Sequence, residues 1–404
     1  MANPVPQLSR MRFLVTAVRG TERILYEELV ELGLAPTLIV PGGVVFDGDI
    51  TAGMRACLWL RTGQRVLTLI GRDDVRSAPQ LYDAVRRLPL LDWFTPDHSI
   101  AVHFNGGQAI FRDNRYAALV TKDAIVDAVR DRYGRRPDVD KERPALDVVA
   151  MVEDTTVRFF VGLNGDPLAF RGYRRYDVEA PIRESLAAAL IRYSEWDRKS
   201  PFWDPFCGSG TLAIEAGMMA TNTAPGLFRS FGFERWPFFA ELASAWSALT
   251  DEARQKRVER YRGLLIASDI DRKAVESTRK NLAAAELFHS VTVRECDALQ
   301  VTPFRESGFF VSNPPYGDRI GGGPQAAAEL LARYADLVGG FASHTWALVG
   351  ERRLLDEAIE RRPKKSLGTF NGPIATRFVV FQNRKPRPTE EPSPPEPAPA
   401  PGQP

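Results

Sequence analysis

Cysteine is scarce in this sequence. Cys57, Cys207 and Cys296 are scattered over 404 positions with no metal-ligand spacing between them. An odd, sparse count excludes a disulfide framework and points to a reducing compartment. No structural zinc is expected, and His98 and His103 have no partner at metal spacing, so both read as structural residues. Long apolar runs are absent too. Nothing approaches the ~18 residues a membrane span requires, so no membrane partner is expected. Residues 1–20 carry Arg10, Arg12 and Arg19 but no apolar segment leading to a small-residue cleavage site, so no secretory leader is read there. These absences together make the cytoplasm the expected location. Charge of one sign is also missing. A formal net charge of +2 does not by itself identify a nucleic-acid binder, so clustering of basic residues is what matters. Arg171-Gly172-Tyr173-Arg174-Arg175-Tyr176 is one such cluster. Arg361-Arg362-Pro363-Lys364-Lys365 is another. Each reads equally well as solvated surface.

What is present is a chain long enough for two or three domains, with 44% hydrophobic residues to fill their cores. Arg12–Ala17 reads as a strand, Thr21 caps a helix to about Leu32, and Leu38–Val40 and Val44–Phe46 straddle a Pro-Gly-Gly hairpin turn. A helix from Ile50 to about Leu60 and a strand over Arg65–Ile70 follow. This alternation predicts a small ferredoxin-like α+β subdomain over residues 1–65. Residues 66–165 predict a second small unit. It has helices over 78–88 and 117–133, a strand over 99–104 and a hairpin of strands over 146–152 and 156–163. From a helix over 180–191 onward, strands and helices alternate cleanly, which predicts a mostly parallel sheet covered on both faces. Its strands are read near 202–203, 264–268, 291–293, 309–312, 344–349 and 376–381. The aromatic-rich segment 224–239 is too hydrophobic for a loose loop. It is expected to pack against the sheet or beside the site, ahead of a helix ending near Tyr261. Residues 385–404 are rich in Pro, Glu and Ala and are expected to be disordered.

Two stretches carry chemistry. In Phe309-Phe310-Val311-Ser312-Asn313-Pro314-Pro315-Tyr316, a buried strand stops on two prolines that cannot continue a ladder. The stiff turn presents an amide and an aromatic ring at a strand end, where open α/β sheets bind ligands. In Asp204-Pro205-Phe206-Cys207-Gly208-Ser209-Gly210-Thr211, a glycine loop joins a strand to a helix N-terminus. It is neither a P-loop nor the dinucleotide fingerprint. Asp204 ends the first strand, placed for a ligand ammonium. Asp269 ends the second, placed for ribose hydroxyls, and Asp297 ends the third, placed for an adenine amine. A lone aspartate at a strand end is commonly a helix cap. The ordered set matches S-adenosylmethionine.

The motifs DPFCGSGTLAIEAG, ASDIDRKAVESTRKNLAAA, CDA and VSNPPYGDRI resemble those of class I methyltransferases acting on exocyclic amines. FRGYRRYDVEAPIRESLAAALI and TAPGLFRSFGFERW narrow the resemblance to bacterial RNA guanine-N2 methyltransferases with an N-terminal THUMP domain, similar to the 23S rRNA (guanine-2445-N2) enzymes. The resemblance implies a THUMP domain over 66–165 and a Rossmann-like methyltransferase domain with a mostly parallel seven-stranded sheet over 166–384. It implies a cofactor site at Asp204, Cys207, Gly208, Ser209, Gly210, Thr211, Asp269, Ile270, Asp297, Ala298 and Asn313, and Asn313, Pro314 and Tyr316 as the catalytic residues that hold the target base. No metal is needed, because the sulfonium supplies the electrophile. Cys207 lies in the cofactor loop and is not read as a nucleophile. Glu184 and Ser185 are candidates for the cofactor's methionine end, or ordinary helix surface. Arg171, Tyr173, Arg174 and Arg175 read equally as an RNA contact or an interdomain linker. The implied partner is RNA: 23S rRNA or a ribosome assembly intermediate, alternatively tRNA. A DNA adenine-N6 methyltransferase would need a target-recognition domain that the front half does not resemble. A non-catalytic RNA-binding protein would not need the intact cofactor motifs.

Overall fold

The longest described strand, β4 (Gly63–Asp74), organises the front half. The computed structural model describes residue 6 and residues 8–106, 110–174, 182–315 and 323–384. On one side β4 pairs antiparallel with β1 (Met11–Ala17), which pairs with β3 (Gly43–Gly48), which pairs with β2 (Ala35–Val40). On the other side it pairs with β7 (Thr156–Gly162), then β6 (Leu146–Glu153) and β5 (Ile100–Gly106). The order β2-β3-β1-β4-β7-β6-β5 is therefore one continuous sheet of seven strands. The boundary expected between residues 65 and 66 falls inside β4, which serves both units.

Period-two alternation explains how this sheet buries one face. In β1, Met11, Phe13, Val15 and Ala17 point into the core while Arg12 is exposed. That face receives α1 (Glu22–Glu31), α2 (Ile50–Trp59), α3 (Ala78–Arg86) and α4 (Asn114–Tyr133), whose buried side chains join the same cluster. Caps set three of the helix starts. Asp49, Ser77 and Asp113 each accept a backbone N–H of the first turn, and Gly134 ends α4 at φ 74°.

The second sheet has the order β10-β9-β8-β11-β12-β14-β13. β8 (Phe202–Asp204), β9 (Leu265–Asp269), β10 (Thr292–Glu295), β11 (Phe309–Ser312) and β12 (Thr345–Glu351) are parallel. β14 (Ile374–Gln382) and β13 (Lys365–Asn371) close the edge antiparallel. The helices here are α5 (Glu184–Tyr193), α6 (Thr211–Ala220), α7 (Phe239–Lys256), α8 (Arg272–Ala284), α9 (Gly323–Gly339) and α10 (Arg352–Ala358). α5 and α6 are buried along almost their whole length, because each packs on the other as well as on the sheet. β13 and α10 were not anticipated from the sequence, and α7 ends at Lys256 rather than near Tyr261. Among the described residues no helix is long and apolar enough to cross a membrane.

The aromatic segment 224–239 packs away from its own sheet. Phe231, Phe233, Trp236 and Phe238 enter the core of the front half. The Phe231 and Phe233 rings stack at 5.5 Å, and Trp236 meets Trp93 edge-on at 5.2 Å. The Arg229 guanidinium donates to the carbonyls of Asn164, Asp166, Pro167 and Phe170.

The two halves also meet through a buried ion pair. Arg171 is 2% exposed, and its Nε lies 3.1 Å from Oε1 of the fully buried Glu215 on α6. Its other nitrogens donate to the carbonyls of Leu60, Arg61 and Leu168. Burial works against this guanidinium, but Glu215 more than offsets it and holds the pKa above its ordinary value. Tyr173 is 1% exposed, and burial raises its hydroxyl pKa. Neither side chain is presented to RNA. For these two residues the RNA-contact reading is corrected, because Arg171 is buried between the halves and Tyr173 is buried in the core of the second sheet.

Candidate functional site

The register of the parallel strands lines up their C-terminal ends. Trp203 lies opposite both Phe310 and Ile266, and Asp269 lies opposite Glu295. Asp204, Asp269, Asp297 and Asn313 therefore follow strands that stop along one edge of the sheet.

Asp204 is 1% exposed. Its Oδ1 accepts from the Phe206 N–H at 3.3 Å, while its buried Oδ2 has no partner among the described residues. Burial, opposed by the Phe206 N–H and the nearby Ser312 hydroxyl, pushes its pKa up to about 8. Asp269 is half-buried, and burial raises its pKa as well. Its Oδ2 accepts from Gly208 N–H at 2.9 Å and its Oδ1 from Asp271 N–H at 3.0 Å, so it also ties the glycine loop to β9. Ile270 beside it is 69% exposed, an apolar side chain left without protein cover. Asp297 accepts from the Leu299 N–H at 2.9 Å and caps a short 3₁₀ turn that begins at the buried Ala298. Capping engages only one of its oxygens.

The glycine loop needs its glycines. Gly208 and Gly210 have φ of 53° and 89°, and a Cβ on Gly210 would lie 2.8 Å from Thr278 Cγ2. Two side chains of α8 hold the loop from behind. Thr278 Oγ1 donates to the Gly208 carbonyl at 2.8 Å, and Asn281 Nδ2 donates to the Ser209 carbonyl at 3.0 Å. Neither was anticipated. The available signal was two polar residues three apart on the apolar stripe of an amphipathic helix. Cys207 is buried, with Sγ 3.5 Å from Thr278 Oγ1, and burial raises its thiol pKa well above the ordinary value. Such a thiol stays protonated and serves as loop packing. From in front, Arg174 donates to Thr211 Oγ1 at 2.9 Å, to the Ile182 carbonyl at 3.1 Å and to Glu184 Oε1 at 2.7 Å. Burial still holds the Glu184 pKa above its usual range, against the pull of Arg174.

Asn313 and Pro314 stand at the end of β11, between β8 and β12. Asn313 Oδ1 is buried without a donor among the described residues. The Ser185 hydroxyl is in the same condition, whereas the Ser312 hydroxyl lies close to both Asp204 and Tyr334. Tyr334, on α9, is fully buried with its ring edge-on to Phe206 at 5.0 Å, and burial together with Asp204 raises its pKa. It too was not anticipated. Tyr316 and Arg175 lie outside the described residues. Buried polar atoms without partners are costly, and two of them, Asp204 Oδ2 and Asn313 Oδ1, stand at neighbouring strand ends beside a glycine loop, which makes this edge the candidate place for a polar ligand. The acceptors Asp204 Oδ2 and Asn313 Oδ1 suit an ammonium and an amine. The carboxylates of Asp269 and Asp297 suit hydroxyls and a ring amine. The exposed Ile270 suits a flat ring.

Comparison with known proteins fits this arrangement. The RMKL-like methyltransferase domain matches residues 171–379, the RlmL ferredoxin-like domain residues 12–67 and the THUMP domain residues 75–161. The ribosomal RNA large subunit methyltransferase K/L of Pseudoalteromonas translucida is 36% identical over 92% of this chain and 53% of that protein. The protein of the same name from Magnetococcus marinus is 35% identical over 81% of this chain and 46% of its own length. The chain thus spans about half the length of the curated relatives it matches. The solved structure of SMU.472, assigned as a methyltransferase and complexed with SAH, superposes with a TM-score of 0.84 at 26% identity. That match covers 94% of this chain and all of the other.

Proposed function

The chain belongs to the RMKL-like methyltransferase family, and from that premise we propose that it methylates the exocyclic N2 amine of a guanine in large-subunit ribosomal RNA. Its cofactor is S-adenosylmethionine. When bound, the cofactor supplies an electrophilic methyl group on a sulfonium. In this reading Asp204 Oδ2 takes the cofactor's ammonium, and the loop Cys207, Gly208, Ser209, Gly210 and Thr211 lies against its carboxylate, with the N–H groups of Cys207, Gly208 and Gly210 holding the loop's shape and those of Ser209 and Thr211 left to donate. Asp269 holds the ribose. Asp297 and Ala298 meet the adenine edge, and Ile270 covers its face.

A guanine amine is a weak nucleophile, because its lone pair is delocalised into the ring. Asn313 Oδ1 and the Pro314 carbonyl each accept one of its N–H bonds, fixing the amine and directing lone-pair density toward the methyl group. Holding the reacting atoms in that geometry is where most of the acceleration arises. Tyr316 is assigned the stacking role from its place in the motif, worth roughly 1–3 kcal/mol. The base must leave its stack to reach this edge. The RNA assignment draws on the THUMP match and on the names of the two relatives.

The observation that carries this reading is the buried Asn313 Oδ1, without a donor among the described residues, on the same sheet edge as Asp204. Its test is Asn313→Ala. Losing one oriented acceptor should lower kcat by about 10²–10³ while S-adenosylmethionine affinity stays within a few-fold. Turnover near the wild-type rate would remove Asn313 from the chemistry. Mass spectrometry of rRNA and tRNA nucleosides from a deletion strain should show loss of an N2-methylguanosine from rRNA. Loss from tRNA instead would overturn the substrate assignment.

A further inference from the structure

A groove of about 340 Å³ opens where the end of β1, the start of α5 and the tip of the β13–β14 hairpin meet. β14 runs antiparallel to β12 with Thr376 opposite Glu351, so the hairpin tip lies past the C-terminal end of β12. That is the sheet edge bearing Asp204 and Asn313. The tip is pinned to the front half. Thr369 Oγ1 donates to the Arg19 carbonyl at 3.0 Å, and a Cβ on Gly20 would lie only 2.0 Å from the Gly368 carbonyl oxygen. The start of α5 is pinned to the glycine loop by Arg174, which bridges the Ile182 carbonyl and Thr211. The groove is therefore a fixed feature joining both halves beside the site.

Its lining has a definite chemistry. Arg19 and Arg183 are exposed and have no carboxylate partner among the described residues. Elsewhere many surface arginines are paired, as Arg12 is with Asp47 and Arg23 with Glu27. Phe370 is 40% exposed on its strand, and among the described residues no acidic side chain lines the groove. Two guanidiniums without a carboxylate partner among the described residues, beside an open phenyl ring, match the phosphates and bases of a single strand. A folded protein partner would need about 1,000 Å² of matched surface, which this groove does not offer. We infer that the Arg19–Arg183–Phe370 groove holds the single-stranded RNA next to the target base, with Phe370 stacking on one nucleotide and the arginines bridging its phosphates. This rests on the RNA-methyltransferase reading. It adds that the strand runs across the seam between the two halves.

Two measurements on the full chain test it. One is anisotropy with a short mixed-sequence single-stranded RNA oligonucleotide over a salt series. The other is methyl transfer to deproteinised rRNA from a strain lacking the gene. Arg19→Ala/Arg183→Ala should flatten the log–log salt dependence of oligonucleotide binding by roughly 1.4, about 0.7 for each phosphate lost. Phe370→Leu should weaken binding by roughly fivefold or more, and Phe370→Trp should restore it. The same variants should raise KM for rRNA without changing S-adenosylmethionine affinity. All three side chains are exposed, so the variants should melt with the wild type. An unchanged salt slope together with wild-type binding by Phe370→Leu would overturn the groove, whatever the enzyme does. If the wild type transfers no methyl to rRNA while oligonucleotide binding responds as described, the substrate reading fails and the groove stands.

Discussion

Asp204 combines two demands that conflict in the absence of ligand. The role proposed for it, holding an ammonium, calls for a charge, and its burial opposes that charge, lifting the pKa from 3.8 to about 8. The consequences have definite signs. Between those two values the folded protein holds a proton that the unfolded chain has lost, so this group's contribution to stability declines as pH rises from about 4 to about 8. Asp204→Asn removes the decline, so at pH 8 without cofactor the variant should melt above the wild type. Cofactor affinity has the opposite sign. An ammonium selects the ionised carboxylate, so affinity should rise with pH by up to about tenfold per unit between pH 6 and 8, with a proton released on binding. Calorimetry in buffers of different ionisation enthalpy counts that proton. A flat profile, or one unchanged in Asp204→Asn, would separate Asp204 from the ammonium. The place of Asp204 at a strand end was legible because it belonged to a series, with Asp269 ending the next strand and Asp297 two residues past the third. Arg171 and Tyr173 were not. An arginine–tyrosine run looks the same whether it faces RNA or a core, and the Arg171 partner Glu215 lies 44 positions away on α6.

At the scale of elements, the glycine loop owes its shape to α8 as much as to its own glycines. Thr278→Val keeps the packing against Gly210 and deletes the bond to the Gly208 carbonyl. One neutral hydrogen bond is worth about 1 kcal/mol net, so S-adenosylmethionine should bind roughly fivefold more weakly while kcat at saturation changes little. Calorimetric titration reads the first and steady-state turnover the second. An unchanged Kd would mean the loop holds its shape without α8. Alternation of strands and helices was legible wherever a strand is central and apolar, as in Phe309–Ser312 and Thr345–Glu351. β13 was missed for a physical reason. It is an edge strand with several exposed residues, so Lys365–Asn371 lacks the apolar run or clean alternation that marks a strand. The destination of the aromatic segment was hidden too. Its composition showed that it must be buried, but not in which core.

On the scale of the whole molecule, the two halves form one packed body. Phe231, Phe233 and Trp236 belong by sequence to the methyltransferase half and by packing to the front half. The Arg171–Glu215 pair sits between the cores, with Arg61 also buried there and donating to the Thr223 carbonyl at 2.8 Å. Burial lowers the Arg61 pKa to about 10, so the junction already carries desolvated charge. Removing one member leaves the other buried and uncompensated. Glu215→Ala should therefore cost about 3–5 kcal/mol, whereas Asp47→Ala, which breaks an exposed pair, should cost under about 1 kcal/mol. Replacing both partners with apolar residues of similar volume, Arg171→Met/Glu215→Leu, should recover most of the loss. Urea unfolding measures all three, and each should unfold in one transition if the halves act as a unit. Two transitions in the wild type would show that the halves are independently stable and merely touch. A small loss in Glu215→Ala would show that the shared aromatic core, not the ion pair, joins them. The distinction bears on function. If the halves are rigidly joined, a front half that grips RNA sets a fixed span to Asn313, and the reachable guanine is chosen by distance as well as by the pocket. Glu215→Ala, lying outside the proposed cofactor and base contacts, should then lower kcat/KM for rRNA more than it lowers S-adenosylmethionine affinity.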